Sequence, residues 1–439
     1  MKWHPTFGLL ASGVVALTFV NATQAQNPSS ANELLSRRQT TSSISCFSQV
    51  KERMLAGNPQ LKRESALLGS LRAQAQQAAL LPNPVITFEA ENFGGSHSDD
   101  DVEYTGGLSQ LIETAGKRRA RTLLAKANAD AFELGRGIAT AELLAKARVA
   151  YAEVIAAKSR LALSEKEVAI RRKAQRLISR KSSHGGALRL EVDKAEVALQ
   201  SAEVVRDRRV QELQIAKRTL TSLWGANGSD VVFTNQVLRL HKPELELSPT
   251  DMHRIPDVAY ATAKREAATK SAGLQRALAV PDITVSGGYR RFDATDDHAF
   301  VADIAIPLPL FDRNQFATQG ADERLKASQF DLANTQIAVE TELKSLRDRL
   351  RLHLRERKLL RQRLLPQTEK VLASATDAYR LGRISYLDYL DAQTTYLDRR
   401  ERLVTVTLSA IRVQVAIQRL TGTLHERLTL MDQGECHAQ

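Results

Sequence analysis

The chain has 439 residues, with 62 lysines and arginines against 50 acids, a formal net charge of +12 and a hydrophobic fraction of 43 %. That fraction excludes wholesale disorder, and 22 glycines and 12 prolines are too few for a turn-rich all-β protein of this length. Two cysteines build neither a disulfide-rich scaffold nor a four-cysteine zinc site.

Residues 1–25 read as an export signal. Lys2 and His4 precede an apolar run from Phe7 to Val20, and small residues lead to a cleavage point near Ala25. The run is too short to cross a bilayer. The first cysteine is Cys46, so no lipid anchor is expected at the cut, and residues 26–47 are expected to form an N-terminal segment of the exported chain. No continuous apolar stretch of about 18 residues follows, the length a membrane helix needs. The mature chain is therefore either soluble outside the cytoplasm or spans a membrane as a β-barrel.

The rest of the chain is one unit written twice, offset by 197 residues: Pro84 meets Pro281, Gly185 meets Gly382, Leu190 meets Leu387 and Gly225 meets Gly422. Repeat 1 covers 48–225. It has a first helical stretch, strands at about 84–92 and 102–111, and long helices at about 116–182 and 187–224. A linker, 226–248, leads to repeat 2, 249–422, with strands at about 281–291 and 299–308 and helices at about 313–380 and 384–421. A tail, 423–439, closes the chain.

Strand assignments rest on alternation. Ile86, Phe88 and Ala90 oppose Thr87, Glu89 and Glu91; Phe300, Ala302 and Ile304 oppose Val301 and Asp303. In 102–111, Val102, Tyr104 and Leu108 share a face, yet the repeat offset pairs Glu103 with Phe300. Either a compensating insertion or one misread strand explains that conflict. The hairpin loops, 96–101 and 293–298, are acidic; a solvated loop tip is the favoured reading over a metal site.

The long segments are rich in Ala, Leu, Glu, Lys, Arg and Gln, as helices are. Leu343, Leu346, Leu350, His353, Arg357, Leu360 and Leu364 step by three and four, like a coiled-coil seam with two polar interruptions. A helix of about 67 residues is ~100 Å long and needs partners along its whole length. A membrane barrel needs at least about eight strands, and one chain offers four. If the strands cross a membrane, several copies must pool them: the fold class is mainly α with a small β part, two tandem repeats each pairing a β-hairpin with a long α-helical hairpin.

Tyr379-Arg380-Leu381-Gly382-Arg383-Ile384-Ser385-Tyr386-Leu387-Asp388-Tyr389-Leu390-Asp391-Ala392-Gln393 resembles the Tyr-x-x-Gly…Asp-x-Leu-Asp-Ala-Gln segment of the TolC-like outer-membrane efflux channels of Gram-negative bacteria. Ile306 to Asn314, and Gly116-Lys117-Arg118 in repeat 1, resemble the strand-to-helix junctions of that family's cobalt–zinc–cadmium branch. The resemblance covers nearly all of the mature chain. It implies a homotrimer with a twelve-stranded barrel in outer-membrane lipid and a periplasmic α-helical tunnel. It also implies a periplasmic adaptor and an inner-membrane pump of the resistance–nodulation–division type. The channel would be a passive exit duct for divalent heavy metals, with a drug, dye or solvent duct of the same fold as the alternative.

Asp388 and Asp391, three apart on one helix face, would stack carboxylate rings in a trimer, and such rings favour cations. By resemblance they match the family's periplasmic aperture. In repeat 1 Glu191 aligns with Asp388, whereas Lys194 aligns with Asp391, so the rings are not doubled. The turns around Ser183, Gly185 and Gly186, and around Gly382, Arg383 and Ser385, read as helical-hairpin tips, with glycine suited to positive φ; the resemblance makes them the adaptor docking site. His184 reads as solvated.

The basic clusters at 171–173 and 347–363 read as solvated faces or internal ion pairs, not nucleic-acid contacts, because glutamates interleave them and the chain carries an export signal. Cys46 and Cys436, near the two mature ends, can pair in an oxidising compartment. No phosphate loop, zinc-protease motif or Ser/His/Asp set is visible, so neither an enzyme nor a cofactor site is expected. The rival from another class is an exported structural coiled-coil protein, which would have no barrel.

Overall fold

A computed structural model of the chain describes residues 42–92, 102–226, 231–233, 238, 240 and 249–424. The export signal, the first acidic loop (96–101) and Cys436 lie outside the described residues. In chain order the elements are β1 (Ser42–Ile44), α1 (Phe47–Gly57), α2 (Pro59–Gln77), β2 (Val85–Glu91), β3 (Glu103–Ile112), α3 (Lys117–Ser183) and α4 (Arg189–Thr221). After β4 (Val231–Phe233) come α5 (Pro256–Leu278), β5 (Ile283–Phe292), β6 (Asp297–Ala305), α6 (Gln315–Leu359), a π-helical turn (Leu360–Leu364), α7 (Leu365–Arg380) and α8 (Tyr386–Leu420).

The four longer strands form one antiparallel sheet in the order β2-β3-β5-β6. Its register puts Ile86, Phe88, Tyr104, Leu108, Ile283, Val285, Tyr289, Phe300, Ala302 and Ile304 on one face. Thr87, Glu89, Glu91, Glu103, Thr105, Ser109, Thr284, Ser286, Arg290 and Asp303 take the other. The apolar face is uncovered: Phe88 is 87 % and Phe300 90 % exposed. On the polar face Arg290 ties three strands together, bonding Glu91 at 3.2 Å, Glu103 at 2.8 Å and Thr105 at 2.9 Å. Two glycines permit close approach at the sheet's centre: a Cβ on Gly288 would lie 2.8 Å from the Gly106 carbonyl oxygen.

The register also accounts for the conflict between β3 and β6. Phe88 lies opposite Gly106, while its repeat equivalent Val285 lies opposite Ile304, not Asp303. The second hairpin thus carries one extra residue between equivalent positions. Both Tyr104 and Phe300 remain on the apolar face. The long helical run of repeat 2 is one residue shorter than the 67 of α3, and the offset returns to 197 at Gly185 and Gly382.

Helix α3 is the axis of the packing. Its alanine-rich middle, Ala147 to Ala157, is buried with Leu143, Leu144, Tyr151 and Val154 against α1, β1, β4 and α8. Small side chains let these backbones approach closely. A second core joins α5, α6 and α8 through Val258, Leu343, Leu346, Leu350, Ala410, Ile417 and Leu420. Here Leu343, Leu346, Leu350 and Leu360 of the seam are buried, while His353, Arg357 and Leu364 are half-buried. Pro366, in the first turn of α7, has no N–H for the preceding turn and crowds its carbonyl; the π-turn just before it relieves that clash. Helix α8 is long and apolar enough to cross a bilayer by length and composition, although no unbroken apolar run marks it. Its apolar residues are spent on protein contacts instead: Val406, Leu408, Ala410, Ile411 and Val415 are buried. Cys46 is buried ahead of α1 and is disulfide-bonded rather than a free thiol.

Neighbour relations leave the same edges open at every level. Beside the sheet the helices run α2-α3-α5-α6; away from it they run α4-α3-α8-α7. In the sheet β2 and β6 are the edges. One margin is therefore β2, α2 and α4, all from repeat 1, and the other is β6, α6 and α7, all from repeat 2.

Candidate functional site: the paired hairpin tips

Both hairpins end in one backbone device. In the first, Gly185 has φ 74° and its N–H donates to Ser182 O at 3.0 Å, while Gly186 N–H donates to Lys181 O at 2.8 Å. In the second, Gly382 has φ 72°, with Gly382 N–H to Tyr379 O at 3.1 Å and Arg383 N–H to Ala378 O at 2.9 Å. These are Schellman turns, which satisfy the last carbonyls of a helix at the cost of one left-handed residue. Ser183 Oγ donates to Arg180 O at 2.8 Å, and the His184 ring lies 2.7 Å from the same carbonyl, so both side chains finish the helix end.

The returning helices start differently. Ser385 caps α8: its Oγ accepts from Asp388 N–H at 3.2 Å, and Asp388 Oδ2 accepts from Ser385 N–H at 3.1 Å and from its hydroxyl at 2.6 Å. This is a reciprocal capping box. The hydroxyl and N–H of Ser385 hold the exposed Asp388 carboxyl below the usual range. Asp388 is thus committed to holding its helix, whereas Asp391, one turn on, is exposed. The N-cap of α4 is Leu188, which has no side-chain acceptor, so this helix start has no side-chain cap and Glu191 N–H turns back to Leu188 O at 2.9 Å. Glu191 lies in that first turn and is half-buried; its charge reaches Tyr379 of the other hairpin.

Between the tips lies a small core built on tyrosines. Tyr379 stacks on Tyr389 at 5.1 Å between centroids and tilts against Tyr386 at 6.2 Å, with Ala174, Ile178 and Ala195 of the first hairpin beneath. Burial, and then the Glu191 charge, push the Tyr379 hydroxyl up to about 12. Lys181 crosses from the first hairpin, donating to Tyr379 O at 2.9 Å with its ammonium 4.5 Å from the ring centroid. Further up, Arg171 is 6 % exposed and donates to Gln393 Oε1 at 2.7 Å and to Thr394 Oγ1 at 3.0 Å. Gln393 is fully buried. Arg172 pairs with Glu203 at 2.7 Å, so part of the 171–173 basic cluster is internal pairing. Above it, Arg209 bonds Glu401, and Arg412 bonds Glu153 at 2.7 Å.

The sequence placed Asp388, Asp391, Ser385, Arg383 and Gly382 at one tip and Ser183, Gly185, Gly186 and Glu191 at the other, and the structure brings the two tips side by side. It missed the clasp of Lys181, Arg171, Tyr379 and Gln393. A signal for it existed: Tyr379, Tyr386 and Tyr389 are spaced by seven and three, so they can share one core across the turn, and Lys181 sits four residues before Gly185. Of the acidic hairpin loops, the described one is an ion-paired turn, with Arg291 on Asp293 at 3.1 Å and on Asp296 at 3.2 Å.

Paired repeats with a two-faced four-stranded sheet at one end and clasped helical hairpins at the other are the build of known channel proteins. The chain is 26 % identical over 357 residues to the cobalt-zinc-cadmium resistance protein CzcC of Cupriavidus metallidurans, covering 81 % of this chain and 84 % of that one. It is 24 % identical to the nickel-cobalt-cadmium resistance protein NccC of Alcaligenes xylosoxydans xylosoxydans, over 66 % and 67 % of the two chains. The solved CusC structure, described for its transmembrane channel formation, superposes with a TM-score of 0.72 at 21 % identity, over 86 % of this chain and 91 % of that one. The family model "Outer membrane efflux protein" matches in two stretches, residues 50–226 and 252–423. The chain belongs to the outer membrane efflux protein family, with the TolC-like channel fold.

Proposed function

We propose that three copies of this chain close into a twelve-stranded barrel through the outer membrane, continued by a periplasmic helical tunnel. The assembly serves as the passive exit duct of a tripartite system with a periplasmic adaptor and an inner-membrane pump of the resistance–nodulation–division type. The observation that carries this reading is the agreement of the open margins. Unequal margins cannot pair face to face; they join head to tail and close into a ring. Joining β6 to the next copy's β2 removes every sheet edge, as lipid demands. The same operation sets α6 against the next α2 and α7 against the next α4. Both helical margins carry uncovered apolar stripes in heptad register: Leu190, Val197 and Val204 on α4, and Phe316, Phe330 and Ile337 on α6. The apolar sheet face then meets lipid and the polar face lines the pore. A detergent-extracted, heat-modifiable species of three chains is the expected result; a monomer released from membranes by salt would refute it.

The cargo is divalent heavy-metal cations, a reading supported by the resistance relatives. A deletion strain should become sensitive to zinc, cobalt, cadmium or nickel; sensitivity to drugs alone would make it a drug duct. At the tips, Asp391 supplies the free carboxylate of the aperture while Asp388 fixes the helix that carries it, and the exposed turns at Gly185 and Gly382 receive the adaptor. Asp391→Asn should weaken block of the channel by trivalent cations in planar bilayers more than Asp388→Asn does. Equal effects would return both residues to one ring. Cys46 and Cys436 tie the terminal segments together.

A further inference from the structure

We propose that the periplasmic rim of the sheet is a docking surface for anionic phospholipid headgroups, made by Arg118, Arg119 and Arg313 beside an apolar collar; this rests on the barrel reading above. Where strands give way to helices, large apolar side chains are exposed: Leu80 and Leu81 before β2, Val280 before β5, and Leu308, Leu310 and Phe311 after β6, the last 91 % exposed. Arg121 fixes the first of these to the start of α3, donating to Ala78 O at 3.0 Å and Leu80 O at 3.2 Å. Asn314 does the same in repeat 2, donating to Gln275 O at 2.7 Å.

The charges around this collar do not cancel. Two of its acids are ion-paired, Glu113 by Arg121 at 2.5 Å and Asp282 by Lys117 at 2.7 Å, while Asp312, held by the neutral Asn314 N–H at 2.8 Å, keeps its charge and stands alone against three arginines. Arg118, Arg119 and Arg313 are exposed and have no acidic partner among the described residues. The opposite rim differs. There Arg291, on the lipid face, is already neutralised by Asp293 and Asp296. An apolar band edged on one side by unpaired guanidinium groups complements a layer of acyl chains topped by phosphates. Guanidinium groups grip phosphate in a fork geometry. The uncompensated rim is the one continuous with the helices, so the layer it meets is the inner leaflet.

The test uses the full-length protein in bilayer discs of mixed phosphatidylethanolamine and phosphatidylglycerol, with the retained lipids read by native mass spectrometry. Wild type should retain phosphatidylglycerol above its bulk share. The triple variant Arg118→Gln, Arg119→Gln, Arg313→Gln should lose that enrichment, by about fivefold per arginine if each acts as a cation at an anionic surface. The matching Arg→Lys triple should keep most of it, which separates charge from misfolding. Arg291→Gln should change nothing. Equal lipid composition for wild type and the glutamine triple overturns the proposal. So does a phosphatidylglycerol enrichment that is lost with Arg291→Gln and kept in the glutamine triple. A chain that never enters the discs overturns the barrel reading along with it.

Discussion

The two hairpin tips share their turn and differ in how the next helix begins. The second tip is self-sufficient: Ser385 and Asp388 cap α8, and three tyrosines pack across the turn. The first has two glycines and then Leu188 where a cap would be, and its order comes from leaning on its neighbour through Lys181 and Arg171. A duplicated unit has thus been divided into a part that holds its own shape and a part that is held. Only the second tip carries the acid pair of Asp388 and Asp391. On the proposed aperture reading, the capped helix is the one that carries the pore's charge.

That contrast can be broken in order of expected effect. Tyr379→Ala removes the ring both tips share and should cost about 3–4 kcal/mol. Hydrogen exchange should then rise at both turns, and a rise confined to the second would deny the first its dependence. Arg171→Met leaves the buried Gln393 without its donor and should cost about 2–3 kcal/mol, as for an orphaned buried amide. The lost protection should centre on residues 390–394 and 167–175. The smallest effects are at the caps. Ser385→Ala should destabilise α8 by about 1 kcal/mol, and Leu188→Ser should stabilise α4 by a similar or smaller amount. A cap at 188 that made the first tip independent of Lys181 would sharpen the comparison further.

The cap carries a pH signature as well. Because the Asp388 carboxyl is held below its ordinary value, its share of the cap is fully present above the normal carboxylate range and is lost as pH falls through the lowered value. Fraying of α8 near residue 386 should therefore appear only in acid, while the first tip, which has no such group at its N-cap, should not change with it.

Local periodicity determined much of this protein. Period-two alternation identified the strands and the face that each side chain of 85–91 and 299–305 takes, although the last strand ends at Ala305 and not at about 308. The scarcity of glycine and proline marked the long helices, and glycine at one offset marked both turns, because few other residues accept positive φ. Acids three apart could be read as one face because a helix repeats every 3.6 residues. What periodicity cannot carry is which elements meet. The parity of β3 against β6 needed the pairing register, since one inserted residue is invisible to alternation within a strand. The π-turn before Pro366 depended on how a helix accommodates a proline while its flanks stay packed. Arg171, read as part of a basic cluster, is an internal hydrogen-bond donor because α8 brings Gln393 to it from 222 residues away. Asp388, read from the sequence as a ring carboxylate beside Asp391, is by geometry also the capping partner of Ser385. The open margins follow from tertiary neighbours alone, because an unpaired edge is a property of the whole packing and of no single segment.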